Sequence, residues 1–513
     1  MPGHSSAAIA AYPELSCFPD EPTKAPAQTA WSGPTTGKQV QQAWGVFPDV
    51  YCAGKENTFK FLEDVIDEVL ELFPSQYIHI GGDESPKSQW KRCPRCQQRI
   101  KDNKLKDEHE LQSYFIQRME KYINSKGRKI IGWDEILEGG LAPNATVMSW
   151  QGVKGGIEAA KQNHQAIMTP EPYLYLNWSQ TRNEDSVSFG RYTPLEKVYN
   201  YEPVPNELSS QQAKLILGAQ GNLWTEYIKN TSILEYNLFP RMSALSELVW
   251  SPKERKDYAD FEKRLEKQFA RYALWGANYS KAYFEIQSTI SPTKSNVGVL
   301  WTLESKSKAP IFLTDAATRA GMKYSEPLPI LGSGKWEATL MEDRKLLSKV
   351  TQTFYINKAT GKKVTLTTPP SQTYPGSGGA FGLVNGIVSD RGFNSPEWLG
   401  WNGKNMEAFI DLEKPEEISK VAIDVWKQEP SWIYLPKSVS VFTSTDGTIW
   451  SSESTATPIN GTWPDERKIT VNLKEKTTAR YLRVVAENYG IILQGRQGEG
   501  NRAWVFVDEI EVN

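Results

Sequence analysis

The chain is 513 residues long, with 59 Lys and Arg against 61 Asp and Glu and a formal net charge of -2. That length calls for two or three cores rather than one, and the balanced charge offers no basic footprint for nucleic acid or an anionic membrane. No apolar run is long enough to span a bilayer. The unusual counts are 18 Trp and 22 Tyr. Aromatic planes stack on sugar rings, but they fill large cores equally well, so the richness alone decides nothing.

Residues up to about 275 alternate short apolar strands with amphipathic helices. Strands are predicted at Tyr77–Ile80, Lys129–Ile131, Ala145–Trp150, Ala166–Met168 and Leu215–Leu217. Between them, Leu62, Val65, Ile66, Val69 and Phe73 share one helical face, as do Leu111, Tyr114, Phe115, Met119, Tyr122 and Ile123, with Gly127 as a stop. Strand, helix, strand reads as a parallel sheet with helical crossovers. Periodicity does not separate a barrel from a doubly wound open sheet, since both gather ligands at the C-terminal ends of their strands.

Four cysteines (Cys17, Cys52, Cys93 and Cys96) lie in the first hundred residues. Cys93-Pro-Arg-Cys96 has the spacing of half a zinc site or a redox pair. Cys17 and Cys52 could complete four ligands, but their separation matches no compact zinc pattern. Disulfides or free buried thiols are therefore expected, with no metal and no cofactor.

A helical stretch near Glu254 to Trp275 closes this region, and from about 285 short β-like runs take over. Pro, Ser and Gly crowd Thr367 to Ala380, a second boundary. Beyond it, runs such as Ala408–Leu412, Ser419–Val425, Ser438–Phe442 and Tyr481–Val485 suit a β-sandwich. Three modules are expected, at 1–279, 280–366 and 375–513.

Asp83 and Glu84 follow two glycines at a strand end. Glycosidic cleavage needs an acid for the leaving oxygen and a second group to manage positive charge at the anomeric carbon. Adjacent carboxylates cannot flank one bond in the usual way, so the pair suits a division of labour: Glu84 as acid, Asp83 on a neighbouring substrate group. Acidic pairs also start helices, where they suit the macrodipole. What weighs against that plainer reading is Trp133, Trp150 and Trp224, each at the end of a different predicted strand, which together would wall a pocket for one pyranose ring.

The run His79-Ile-Gly-Gly-Asp-Glu84 resembles the signature of glycoside hydrolase family 20, the β-N-acetylhexosaminidases. Gly132-Trp-Asp-Glu-Ile136, Met148-Ser-Trp150, Asn222-Leu-Trp-Thr-Glu226, Pro240-Arg241 and Ser246-Glu-Leu-Val-Trp250 are similar to later family segments in the same order. Met1-Pro-Gly-His4 and residues 10–17 resemble a segment at the end of the third strand of that family's barrel. The resemblance implies a (β/α)8 barrel portion carrying strands four to eight, without the first three, followed by a small β domain and a β-sandwich.

The resemblance also implies an exo-acting, retaining, substrate-assisted hydrolysis of terminal GlcNAc or GalNAc from glycans, in which the 2-acetamido oxygen is the nucleophile. Glu84 is then acid and base, and Asp83 orients the acetamido group. Trp133, Trp150 and Trp224 enclose the sugar, Tyr175 bonds the acetamido oxygen, and His4, Asn177 and Glu226 complete the substrate contacts. Asn177 departs from the aspartate usual in the family, and the family's sugar-gripping arginine has no counterpart here. A secreted or periplasmic location follows by the same likeness. The alternative is a truncated, non-catalytic carbohydrate-binding remnant, and a third reading is a relative releasing a disaccharide. The last module is similar to a discoidin-like (F5/8 type C) sandwich, with Trp398, Arg391 and Asn394 as candidate sugar contacts.

Overall fold

Five short strands of the N-terminal half pair in chain order: β1 (Tyr77–His79), β2 (Lys129–Trp133), β3 (Thr146–Ser149), β4 (Ala166–Met168) and β5 (Ile216–Ala219). All four pairings are parallel. The computed structural model describes residues 1–25, 31–43, 45–181, 191–307, 309–342, 345–389, 392, 395–451 and 453–513. They divide into two compact units, Met1–Ser280 and Lys281–Asn513.

The strand order decides between the two parallel folds. A doubly wound sheet reverses its order at a switch point; this one runs β1-β2-β3-β4-β5 without reversal, the winding of a (β/α)8 barrel. Beyond the strands the ladder is carried on by loop backbone. Ile80 N donates to Ile131 O at 2.9 Å, Trp133 N to Gly81 O at 2.8 Å and Glu171 N to Trp150 O at 2.8 Å. These bonds tie the strand-end loops to the neighbouring strand ends.

Helices α1 (Glu56–Leu72), α2 (Pro94–Asp102) and α3 (Glu108–Ser125) cover the β1 and β2 side. Asp107 caps α3 by accepting from His109 N and Glu110 N, and Gly127, at φ 75°, ends the turn that follows it. The buried stripe of α1 is Thr58, Phe59, Leu62 and Ile66, and Phe59 meets Phe115 of α3 at 4.9 Å. Val65 and Phe73, expected on that face, are exposed: Val65 falls off the 58-62-66 stripe, and Phe73 lies past the end of the helix. Two further helices, α4 (Arg241–Trp250) and α5 (Tyr258–Trp275), follow the sheet, and Gly276 in the left-handed region closes α5.

Among its described residues, the C-terminal unit is all β apart from short 3-10 turns. It holds a three-stranded sheet, a four-stranded sheet and a seven-stranded sheet. In the last, the long strands Met406–Val425 and Lys468–Ala486 pair antiparallel, with register shifts between Asp411/Glu416 and Ile418/Lys420 that divide the pairing into three stretches. Their buried residues, including Ala408, Ile410, Val421, Ile423, Leu482 and Val484, share the sandwich core with Trp401 and Val505. Strand Lys363–Leu366, expected to end a small β domain at 366, pairs with Asp411–Ala408 and belongs to the sandwich sheet. The Pro- and Gly-rich stretch after it is therefore a loop within the sandwich, and its end feeds Leu383 and Val384 into the core.

Candidate active site

β1 ends in Gly81 and Gly82, at φ 77° and 97°. A side chain at Gly82 would sit 2.3 Å from Ile136 Cγ2, so only glycine lets this turn lie against β2's end. Glu84 itself has φ 41°, a left-handed value that side chains rarely adopt. Gly3 passes directly beneath: a Cβ there would meet Asp83 O at 2.6 Å and Glu84 O at 2.9 Å. Close passage of the two segments brings His4 to both carboxylates. Its Nε2 lies 3.1 Å from Asp83 Oδ2 and 3.2 Å from Glu84 Oε2.

Burial alone would raise the Asp83 carboxyl, but the His4 hydrogen bond and charge outweigh it and hold the group below its ordinary value. The same hydrogen bond raises His4, against its partial burial.

The aromatic candidates come from the four other strand ends and form one chain of rings. Trp133 and Trp224 centroids are 6.0 Å apart, Trp224 and Tyr175 6.4 Å, and Tyr175 stacks on Trp150 at 6.2 Å and 17°. Trp133 also lies 4.9 Å from His79. Tyr175 is buried, which raises its hydroxyl well above the usual phenol range. Asn177 keeps a buried Oδ1 without a hydrogen-bond partner among the described residues, while Glu226 is exposed. Thus His4, Asp83 and Glu84 form one group, the four rings a second, and Glu226 makes no hydrogen bond to either among the described residues.

Residues 1–253 match the family described as Glycosyl hydrolase family 20, catalytic domain, and residues 367–505 match the F5/8 type C domain. The N-terminal match places residues 1–253 as similar to the catalytic domain of glycosyl hydrolase family 20. The chain is 51% identical over 281 residues to a Beta-hexosaminidase of Porphyromonas gingivalis, covering 54% of this chain and 34% of that protein. It is 33% identical over 252 residues to a Beta-hexosaminidase of Vibrio furnissii, covering 48% and 38%. The chain thus spans little more than a third of the length of these relatives. A solved beta-N-acetylhexosaminidase from Bacteroides fragilis aligns with 32% identity and a TM-score of 0.45, covering 55% of this chain and 53% of that one.

In the N-terminal unit, several positions to which sequence reasoning gave no role of their own set the geometry. Glu135 accepts from Trp150 Nε1 and from Gln151 Nε2, each at 2.9 Å, and so orients the ring of Trp150. Burial raises Glu135, and it lifts neighbouring Asp134 to about 7, with the Glu135 charge adding to the effect. Gln112 of α3, fully buried, donates to Gly82 O and Glu135 O, both at 3.2 Å, tying two strand ends together. Arg241 is buried completely and donates to the carbonyls of Leu176, Trp178, Thr193 and Asn237, fixing the loop that carries Tyr175 and Asn177. Glu135 was visible as an acid beside a strand-end Trp. Gln112 and Arg241 act on backbone carbonyls that only the fold assembles, and nothing in their spacing announces it.

In the C-terminal unit, Trp398 is 1% exposed and packs with Ile433 and Phe506. It is a core residue, not a sugar contact. Arg391 and Asn394 lie outside the described residues. Among the described residues, no helix is long and apolar enough to cross a membrane.

Proposed function

We propose that the chain carries the catalytic carboxylates of an exo-β-N-acetylhexosaminidase, which removes terminal GlcNAc or GalNAc from glycans with retention, the substrate's own acetamido oxygen serving as nucleophile. The reading rests on one observation above all: an adjacent Asp83–Glu84 pair at the end of β1, held to a shared histidine, beside a row of rings from other strand ends. Family 20 is among the exceptions to the two-carboxylate scheme of glycoside hydrolysis. In this reading Glu84 protonates the leaving oxygen and then takes a proton from the attacking water. Asp83, kept ionised by His4, bonds the acetamido N–H and balances the positive charge that builds as its oxygen attacks C1.

Tyr175, its hydroxyl kept protonated by burial, donates to the acetamido oxygen, and Trp133, Trp150 and Trp224 pack on the ring. Asn177 and Glu226 take sugar hydroxyls. Asn177 does so without the charge assistance an aspartate would give. The reading includes a secreted or periplasmic location and glycan substrates.

The test is chromophore release from an aryl N-acetyl-β-glucosaminide by this chain and by Glu84→Gln. General acid–base help is worth roughly 10²–10⁴-fold, and a loss of that size is expected. Equal rates in the two would remove Glu84 from the chemistry. A substrate whose acetyl group is fluorinated should react more slowly with the unaltered chain, because its oxygen is a poorer nucleophile; an unchanged rate would rule out acetamido attack.

A further inference from the structure

Away from the carboxylates, three separate chain segments deliver cysteines to one buried point. Cys17 Sγ lies 3.7 Å from Cys96 Sγ, and Cys52 Sγ lies 3.6 Å from Cys96 and 3.9 Å from Cys93. All four sulfurs fall within 4.8 Å of one another, and all four residues are buried and free of disulfides. Spacing along the chain argued against such a cluster, because the separation of Cys17 and Cys52 matches no compact zinc pattern. Tertiary folding removes that objection.

We infer that Cys17, Cys52, Cys93 and Cys96 bind one structural zinc ion as a closed tetrathiolate site. With Zn–S near 2.3 Å, tetrahedral geometry separates the sulfurs by about 3.8 Å, and the three closest separations bracket that value. A disulfide needs about 2.05 Å and one partner per sulfur. Here Cys96 is nearly as close to Cys17 as to Cys52, and Cys52 also faces Cys93, so the set closes on a centre instead of dividing into pairs.

The backbone around the sulfurs is shaped to hold them there. Pro94 starts α2 directly after Cys93, which forms the tight Cys-Pro-Arg-Cys turn. Gly54, two residues past Cys52, packs on that turn so closely that a Cβ would fall 2.4 Å from Arg95 C and 2.5 Å from Cys96 N. Lys55 is buried with its Nζ on the carbonyls of Glu14 and Ser16, next to Cys17.

On binding, each thiol releases its proton to solvent and its sulfur lone pair goes to the metal, and no electron is transferred. Four thiolates against a divalent ion leave a net negative centre, which the Lys55 ammonium partly offsets. A four-sulfur tetrahedral set selects zinc or iron among biological metals, and a site fully enclosed by protein ligands is the structural kind. The ion would pin Cys17, thirteen residues past His4, to the Cys93–Cys96 turn nine residues past Glu84, bracing the approach of the two segments.

Elemental analysis of the full chain, purified without chelator, is expected to give one zinc per chain. The four cysteines should resist alkylation until a strong chelator is added, and the melting temperature should fall with the chelator and recover when zinc is returned. Cys52→Ser and Cys93→Ser should each purify with zinc reduced to near zero. Cobalt(II) in place of zinc should show the charge-transfer absorption of a tetrahedral thiolate site. Iron at one per chain, disulfide-linked peptides by non-reducing mass spectrometry, or four reactive thiols that take up no zinc would each overturn the assignment. None of these readouts depends on hydrolase activity, so failure here is separate from failure of the proposed function.

Discussion

His4 stands between Asp83 and Glu84, and its proton belongs to that geometry. Its folded pKa lies above the ordinary 6.5, so the linked stability is fully present below 6.5 and is lost as pH rises through the folded value. Asp83 lies below its ordinary 3.8, so its share is present above 3.8 and lost as pH falls through the folded value. These are one interaction seen from its two partners. His4→Gln should therefore lower the melting temperature most between pH 4 and 6.5, and the gap should close at higher pH. The pair is partly exposed, which limits the drop to about 2 °C or less; a pH-independent gap would show that His4 acts only by packing. At the neighbouring strand end, Glu135→Gln leaves Trp150 Nε1 or Gln151 Nε2 without its acceptor. That loss is worth about 1 kcal/mol, so KM for the aryl glycoside should rise roughly fivefold with kcat less affected. An unchanged KM would separate Trp150 from substrate binding.

Among the elements, α4 and the turn after β2 do the most to hold the site in shape. Removing the Arg241 guanidinium takes the donor from the buried carbonyls of Leu176, Trp178 and Thr193 at once, while Asn237 O keeps Gln180 Nε2 at 3.5 Å. Arg241→Met should cost more than about 3 kcal/mol, read from the urea midpoint, because unmet buried polar groups make up the severe tail of mutational effects. Asp134 opens the turn after β2 with a carboxyl raised to about 7 by burial, and its Oδ1 has no hydrogen-bond partner among the described residues. The folded chain then holds a proton that the unfolded chain has lost between pH 3.8 and about 7, so stability falls across that window and stays low above it. Asp134→Asn is expected to gain in melting temperature over the parent at pH 8 and not at pH 4. The five strands were legible because each is a short apolar run, closed by glycine or tryptophan in four of them and by Thr169-Pro170 in β4. The helical face of α1 was legible only in part, because an apolar list at helical spacing does not say which edge of the stripe meets the core.

Across the whole chain, strand-end residues are easier to read from the sequence than the joints between modules. Strand-end residues announce themselves by type, whereas Lys363–Leu366 reads the same in either β module until its partner, Met406–Val425, is seen. The cysteine cluster was hidden for the same reason, its members being joined only through folding. The C-terminal unit has cores of its own around Trp301 and Phe354 and around Trp401 and Val441. Residues 281–513 expressed alone should therefore unfold cooperatively on heating, with near-ultraviolet circular dichroism lost in a single step; a broad, probe-dependent transition would mean that this half cannot stand alone.

The left-handed backbone of Glu84 (φ 41°) and of His4 (φ 52°) sets function against durability. Each such residue stores about 1–3 kcal/mol that glycine, or in part asparagine, would release. A laboratory lineage selected only for heat tolerance would find its easiest gains at these two positions, and would become hardier by discarding the proposed acid and its histidine partner. Any screen for robust descendants of this chain must therefore score turnover alongside survival.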